Sequence, residues 1–319
     1  MQTLSVMPEN HPDLTVIMIS YNTRELTLAA LRTLLATTRN TPIHVVVLDN
    51  ASTDGSADAV AVTFPQVDLI RSSENLGFAR ANNVVAAKAT TEYLLLLNPD
   101  TECHSGAVDN LMAFAAAQPQ AGIWGGRTVF ADGSLNIASC WQRITPWSVF
   151  CLAVGLTAMF PRSRIFNTEA LGSWKRDTIR EVDIVSGCFF LVRRDLWARL
   201  GGFSLRYFMY GEEADLCLRA RHLGFRPMIT PDAEIMHLVG AASSSRAGQR
   251  VMVTKARVTL IRDHWPAWQV PLGIGLMWLW GALRFMAAQT LSMISDRART
   301  RAVYWAEIWA KRRDWLEGY

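Results

Sequence analysis

The chain has 319 residues, 50% hydrophobic and 19% charged. That is enough to bury one large core or a domain with a sizeable appendage, and it excludes a disordered chain. A formal net charge of +4 is too small to imply nucleic-acid binding. Cys103, Cys140, Cys151, Cys188 and Cys217 are odd in number and show no metal-ligand spacing, so they read as buried thiols in a reducing compartment. Met1 to Leu14 carries Glu9, His11 and Asp13 and no apolar core. It does not read as a secretory signal, and a cytoplasmic location is expected.

In chain order, apolar strands alternate with helical patterns: Val16 to Ser20 then Leu26 to Leu35, and Ile43 to Leu48 then Ala57 to Val62. The alternation continues with Val67 to Arg71 then Ala79 to Ala87, and with Tyr93 to Leu97 then Ala107 to Ala117. Such runs predict βαβ units around a parallel sheet, an α/β fold. Ser20, Tyr21 and Asn22 follow the first strand, where a dinucleotide or Walker loop would be glycine-rich, so those two enzyme classes are disfavoured.

The strands end in polar groups. Asp49, Asn50, Ser52 and Asp54 follow the second, Asn75, Gly77, Asn82 and Asn83 the third, and Asn98, Pro99 and Asp100 the fourth. Ligands of open α/β sheets collect at these carboxyl ends, where an Asp can hold a hard cation against a diphosphate. Taken singly, each residue is also ordinary turn or cap chemistry. Together they suit a base, a ribose and a pyrophosphate.

A hairpin signal at Ala131 to Ser134 precedes the apolar run Val182 to Val192, which Ser186 and Gly187 interrupt. Glycine there marks a bulge or a close approach that could floor a sugar pocket. From Gly211 a helix is expected that carries Glu212 and Glu213, with Glu213 on the stripe of Leu216, Ala220 and Leu223. A partly desolvated carboxylate has a raised pKa suited to taking a proton from a hydroxyl. Asp215 and Arg219, four apart, read as a supporting ion pair. His237 ends the apolar segment Ala233 to Met236, ahead of Gly240 and Ser243, and a distant ligand beside Asp100 would complete a cation site with diphosphate oxygens.

The ordered set SYN, LDNASTDGS, ENLGFARANN, LLLLNPD, VSGCFFLVRRDLW, MYGEEADLCLR and MHLVGAAS resembles family 2 glycosyltransferases with the GT-A fold. It resembles most closely the bacterial rhamnosyltransferase-like branch that builds cell-surface polysaccharide on lipid carriers. The resemblance implies a Rossmann-like GT-A domain with a mixed central sheet over residues 1–245, inversion at the anomeric carbon, and a divalent cation, Mg2+ or Mn2+. It implies a nucleotide-diphosphate sugar as donor, leaning toward dTDP-rhamnose, and a lipid-linked saccharide as acceptor. By position, Asp100 matches the acid of the family's DXD motif, whose first place is here Asn98, and His237 matches a histidine of the metal and diphosphate site. Glu213 matches the catalytic base, and Glu212 stays open as its alternative because the family usually has Asp there. Ser20, Tyr21, Asn22, Asp49, Asn50, Gly77, Asn82, Asn98 and Gly187 fall on the donor-binding surface.

Trp147 to Phe160 and Val270 to Leu283 are apolar but shorter than the roughly 20 residues of a bilayer span, so interfacial or re-entrant insertion is expected. A full span over Pro266 to Ile294 requires that Arg284 be sheltered. Arg297 to Arg313 reads as a basic amphipathic helix with Trp305 and Trp309 on its apolar stripe, the alternative being a helix packed on the core or on another subunit of a homo-oligomer. Residues 246–319 are thus expected to form a helical, membrane-associating segment, peripheral or monotopic, on the cytoplasmic face of the inner membrane. A non-catalytic nucleotide-sugar-binding or scaffold subunit is the alternative function on the same fold.

Overall fold

The computed structural model describes residues 13–238 and 246–319. The N-terminal stretch before Asp13, and Gly240 and Ser243 after His237, lie outside the described residues. The first half alternates as its apolar pattern predicts: β1 (Leu14–Ser20), α1 (Arg24–Thr37), β2 (Ile43–Asp49), α2 (Ser56–Thr63), β3 (Asp68–Arg71), α3 (Gly77–Ala86) and β4 (Tyr93–Leu97). β1 pairs in parallel with β2 and β4, and β2 with β3. β1 is buried at every position, as a strand covered on both faces must be. Its side chains alternate: Ile17 and Ile19 join the core under α3, while Leu14, Val16 and Met18 join the core under α1.

The second half changes direction. β5 (Thr101–Cys103), α4 (Ala107–Ala117), β6 (Ile123–Val129) and β7 (Leu135–Asn136) come next, the last two closing the expected hairpin. β8 (Cys140–Trp141), α5 (Pro146–Val154), α6 (Leu156–Met159), β9 (Arg180–Glu181), β10 (Ile184–Val185) and β11 (Phe189–Arg193) follow. α7 (Arg194–Leu200), α8 (Glu212–His222) and β12 (Met228–His237) complete the mixed sheet, ordered β3-β2-β1-β4-β11-β6-β12-β5. The run expected as one interrupted strand is two: β10 pairs with β8 in a small separate sheet, while β11 enters the main sheet antiparallel to both β4 and β6. Gly187 lies at the crossing, where an added Cβ would stand 3.6 Å from the Phe78 ring and 3.9 Å from Glu213 Cβ.

α9 (Arg246–His264), α10 (Val270–Ser292), α11 (Asp296–Ala310) and α12 (Arg312–Glu317) share a further core with α5, built on Val149, Val258, Met277, Trp280, Trp305 and Trp315. The stripe expected to face a membrane therefore does not. Trp305 is 9% exposed and packs edge-on to Trp280, and Trp309 stacks on Phe285, because the bare flank of α10 offers a larger apolar partner. What stays exposed is the other side of α10, with Leu272, Leu283 and Met286. Arg284 is sheltered within the chain itself, donating to the carbonyls of Leu152 and Ala153 at the end of α5. This layer is fastened to the sheet domain by Arg257, which meets Glu169 through two bonds of 2.7 and 2.8 Å.

β12 carries Pro231, which gives no backbone donor, and its register with β6 slips between Thr230 and Glu234. The bulge presses Ala233 toward Gly126, where a Cβ would stand 2.0 Å from the Ala233 carbonyl oxygen. Gly126→Ala is expected to cost about 1–3 kcal/mol of stability. A urea midpoint equal to wild type at unchanged m-value would show that the strands need no such approach.

Candidate active site

The carboxyl ends of β1, β2 and β4 open on one side of the sheet, and the polar residues there divide into those that build the rim and those that face it. Ser20 is buried, its hydroxyl 3.2 Å from that of Thr23 and 3.0 Å from that of Thr27, so its side chain is committed to α1. Asn82 is buried too and donates to the Phe78 carbonyl within α3. Asn50 holds the loop before α3 by donating to Asn75 Oδ1 at 2.8 Å and accepting from the Leu76 N–H at 2.7 Å. Asn22, at φ 52°, accepts from the Thr53 N–H and fixes the β1 and β2 loops to each other. Asp54 accepts from the N–H groups of both Arg24 and Ser56, so it caps the starts of α1 and α2 together.

Three groups are left facing the opening. Tyr21 is 45% exposed. Asp49 accepts from the Ser52 N–H through Oδ2, while Oδ1 is buried without a partner. Gly77 starts α3 at φ +72°, a conformation that costs other residues a steric penalty, and it brings backbone to the rim.

At the end of β4, antiparallel pairing with β11 makes the Asn98 N–H donate to the Cys188 carbonyl at 3.1 Å. Thr101 Oγ1 donates to the Asn98 carbonyl at 2.6 Å, and the Leu238 N–H donates to the Asp100 carbonyl at 3.0 Å. These bonds set Asp100 Oδ1 3.3 Å from His237 Nε2, although 137 positions separate the two in the numbering. Burial disfavours the His237 cation, but the Cys188 sulfur and the Asp100 carboxylate outweigh it and raise its pKa to about 10. Its Nδ1 is buried without a partner. One carboxylate oxygen and one imidazole nitrogen fit a divalent cation only as a partial set. Among the described residues no third His, Cys, Asp or Glu completes a cluster, so a ligand must supply the remaining oxygens.

On the other wall Gly211, at φ +91°, starts α8. A Cβ there would meet the Tyr207 ring at 3.0 Å and Ala256 at 3.1 Å, so the start of this helix is clamped between its own loop and α9. Glu212 is 4% exposed, with one carboxyl oxygen unpartnered. Burial, and then the neighbouring Glu213 charge, push its pKa well above the ordinary glutamate value. Burial also raises Glu213, which is less enclosed and stands against Gly187. Both carboxyls are thus displaced upward, the deeper Glu212 the further of the two. The expected Asp215–Arg219 pair forms at 2.7 Å. It is joined by His264, whose Nε2 lies 3.0 Å from Asp215 Oδ1, a partner no local pattern announces. Cys188, which stands between the two walls, was legible in the sequence only as a buried thiol.

Asp100, His237 and Cys188 thus stand on one side of Gly187 and Glu213 on the other at the end of a mixed α/β sheet, the GT-A-like arrangement. Residues 15–201 match the model of glycosyl transferase family 2, and the chain belongs to that family. It is a glycosyltransferase. It is similar to the N-acetylglucosaminyl-diphospho-decaprenol L-rhamnosyltransferase of Mycobacterium tuberculosis, 29% identical over 64% of this chain and 68% of that protein. It is 28% identical to the rhamnosyltransferase WbbL of Escherichia coli, over 50% of this chain and 60% of that one. Among solved structures, the mannosyltransferase PcManGT from Pyrobaculum calidifontis, in complex with GDP-Man and Mn2+, aligns with a TM-score of 0.58. The alignment covers 96% of this chain and 88% of that one at 21% identity, and shows the shared fold.

Because the folded Glu212 holds its proton above the unfolded value of about 4.5, the unfolded chain ionises first. Stability is therefore fully present below that pH and is lost as pH rises toward the folded pKa. Glu212→Gln is expected to flatten this fall, raising Tm relative to wild type by about 2–4 °C per kcal/mol recovered at pH 8 and leaving it near wild type at pH 4. Parallel Tm profiles for the two proteins would refute a buried, protonated Glu212.

Proposed function

We propose that this chain is an inverting transferase that moves a sugar, rhamnose or a related hexose, from a nucleotide diphosphate to a lipid-linked saccharide in cell-surface polysaccharide synthesis. The observation that carries the reading is the closeness of two walls: the Asp100–His237 pair on one, and Glu213 against Gly187 on the other, with Cys188 between them. The mycobacterial relative, named for rhamnosyl transfer to a diphospho-decaprenol acceptor, supports the donor and acceptor classes, with dTDP-rhamnose as the donor.

In this reading Tyr21 offers a half-exposed ring to the base, and the unpartnered Asp49 Oδ1 accepts from its imide N–H. Gly187 leaves room for the sugar beside Glu213. Glu213 takes the proton of the acceptor hydroxyl as that oxygen attacks the anomeric carbon from the side opposite the leaving diphosphate. Asp100 and His237 would hold a divalent cation, Mg2+ or Mn2+, which when bound supplies positive charge for the departing phosphate. To bind it, His237 must give up the proton it shares with Asp100. α10 is long and apolar enough to cross a membrane, and its exposed side supports association with one. With its other flank packed on α5 and α11 it lies in the interface, on the cytoplasmic face, where five free and buried cysteines stay reduced.

Glu213→Gln is expected to keep donor affinity, measured by calorimetry, and to lose about 10²–10⁴ in transfer rate. A turnover near wild type would remove Glu213 from the role. Asp100→Ala should weaken donor binding in the presence of Mg2+ or Mn2+ and leave it unchanged in a chelator. Equal weakening in both would mean that Asp100 contacts the donor directly and holds no cation.

A further inference from the structure

A cleft of about 390 Å³ lies between the C-terminal half of α8, the end of α9 and the loop before α5. Asp100, His237 and Glu213 do not line it. Arg143, Arg221, His222 and Arg226 do, and no acidic side chain joins them among the described residues. Behind the wall Asp183 holds Arg221 Nε at 2.9 Å, fixing that guanidinium while Arg143 and Arg226 remain exposed. The balance facing the opening is cationic.

Two further features point to an anion. His264, with its side chain only 9% exposed, gives one ring nitrogen to Asp215 and has the other, Nδ1, buried without a partner. The fold holds this group in place without satisfying it, a desolvation penalty that a phosphate oxygen relieves if Nδ1 carries a proton and a headgroup hydroxyl relieves if it does not. Gln269, the cap residue of α10, also lines the cleft, and no side chain caps that helix. The start of this 23-residue helix thus puts the positive end of its dipole beside the same space, while the Val270 and Gly273 N–H groups are taken by the Ala267 and Gln269 carbonyls and Pro271 has none. From this end exposed apolar side chains lead away, Trp268 just before the helix at 78% and Leu272 within it at 53% exposure. A phosphate joined to an apolar tail matches that sequence of surfaces.

We propose that this cleft binds the phosphate of an anionic membrane phospholipid and sets the protein at headgroup depth, with the apolar side of α10 against the acyl chains. The proposal rests on the reading that α10 meets a bilayer, and its test separates the two. The full chain is floated with vesicles of phosphatidylcholine alone and of phosphatidylcholine with phosphatidylglycerol. Wild type should bind both, the anionic vesicles more tightly. Arg143→Ala/Arg226→Ala should keep binding to neutral vesicles and lose about thirty-fold on anionic ones, the effect of two surface arginines. Arg32→Ala/Arg199→Ala, an equal change of net charge at exposed positions away from the cleft, should behave as wild type. If the two double variants lose equally, or neither loses, the cleft is not the lipid site. If wild type binds no vesicle, the membrane reading of α10 itself fails. If inorganic phosphate raises the Tm of wild type but not of Arg143→Ala/Arg226→Ala while vesicle binding is the same for both, the cleft takes a soluble phosphate and the lipid assignment is overturned.

Discussion

The antiparallel pairing of β11 with β4 is the constraint on which the site depends. β4 ends at Leu97 and leads through Asn98 to Asp100, while β11 begins just after Gly187 and Cys188, and their pairing sets these two ends side by side. β11 then pairs on its other edge with β6, and β6 with β12, whose last residue is His237. One ladder of backbone bonds thereby delivers the acid, the imidazole and the glycine floor to the same mouth. A slip of one residue would turn every side chain of β11 to the opposite face.

Against that floor α8 presents adjacent carboxyls in different surroundings. Glu212 is enclosed and its pKa is pushed well up by burial and by its neighbour, and Glu213 borders the opening and is raised by burial alone. Two anions at this depth would each bear an unpaired desolvation cost, and sharing one proton avoids it. Holding the helix that does this requires its own support, and Asp215 provides it. Its buried carboxylate takes Arg219 from the next turn and His264 from α9, and Arg219 also donates to the carbonyls of Leu200 and Gly202. The wall that bears Glu212 and Glu213 is tied in this way to the helical layer as well as to the sheet.

That layer is part of the enzyme's packing. α12 places Trp315 in a fully buried position, and the Tyr319 hydroxyl donates to the Met209 carbonyl at 2.8 Å, in the loop that leads to Gly211. The same helices that leave an apolar face on α10 therefore brace the segment bearing Glu212 and Glu213. The exposed apolar face and the geometry around Glu213 share one set of contacts, an arrangement suited to an acceptor that resides in a lipid phase.

The parallel half of the sheet was legible because each of its strands is a short apolar run with its own turn signal, and Tyr93–Leu97 and Ala107–Ala117 emerge with the expected bounds. The Asp215–Arg219 pair was legible for the same reason, since four residues on a helix are neighbours by geometry alone. Less was readable where a residue's role depends on distant partners. Ser20 and Asn50 stand at strand ends like Asp49, and Asn82 lies within α3, yet their polar atoms are taken by Thr23 and Thr27, by Asn75 and by Phe78, while one oxygen of Asp49 is left unpartnered. The Trp305 and Trp309 stripe carried the right period and the wrong destination, because amphipathicity states that a face will be covered and does not name the cover.

The amino-acid order by itself determined the alternating α/β plan, the family motifs, and the acidic groups at Asp100 and Glu213, all of which follow from interactions within a few residues. Tertiary structure decided that the run through Gly187 divides between two sheets, that His264 completes the anchor of α8 from 49 positions away, and that α10 rather than α11 keeps the open apolar face. The physical reason is that local torsional preference and side-chain period act over a turn or two. Which surfaces meet is fixed only when the whole chain closes and every buried face competes for a partner.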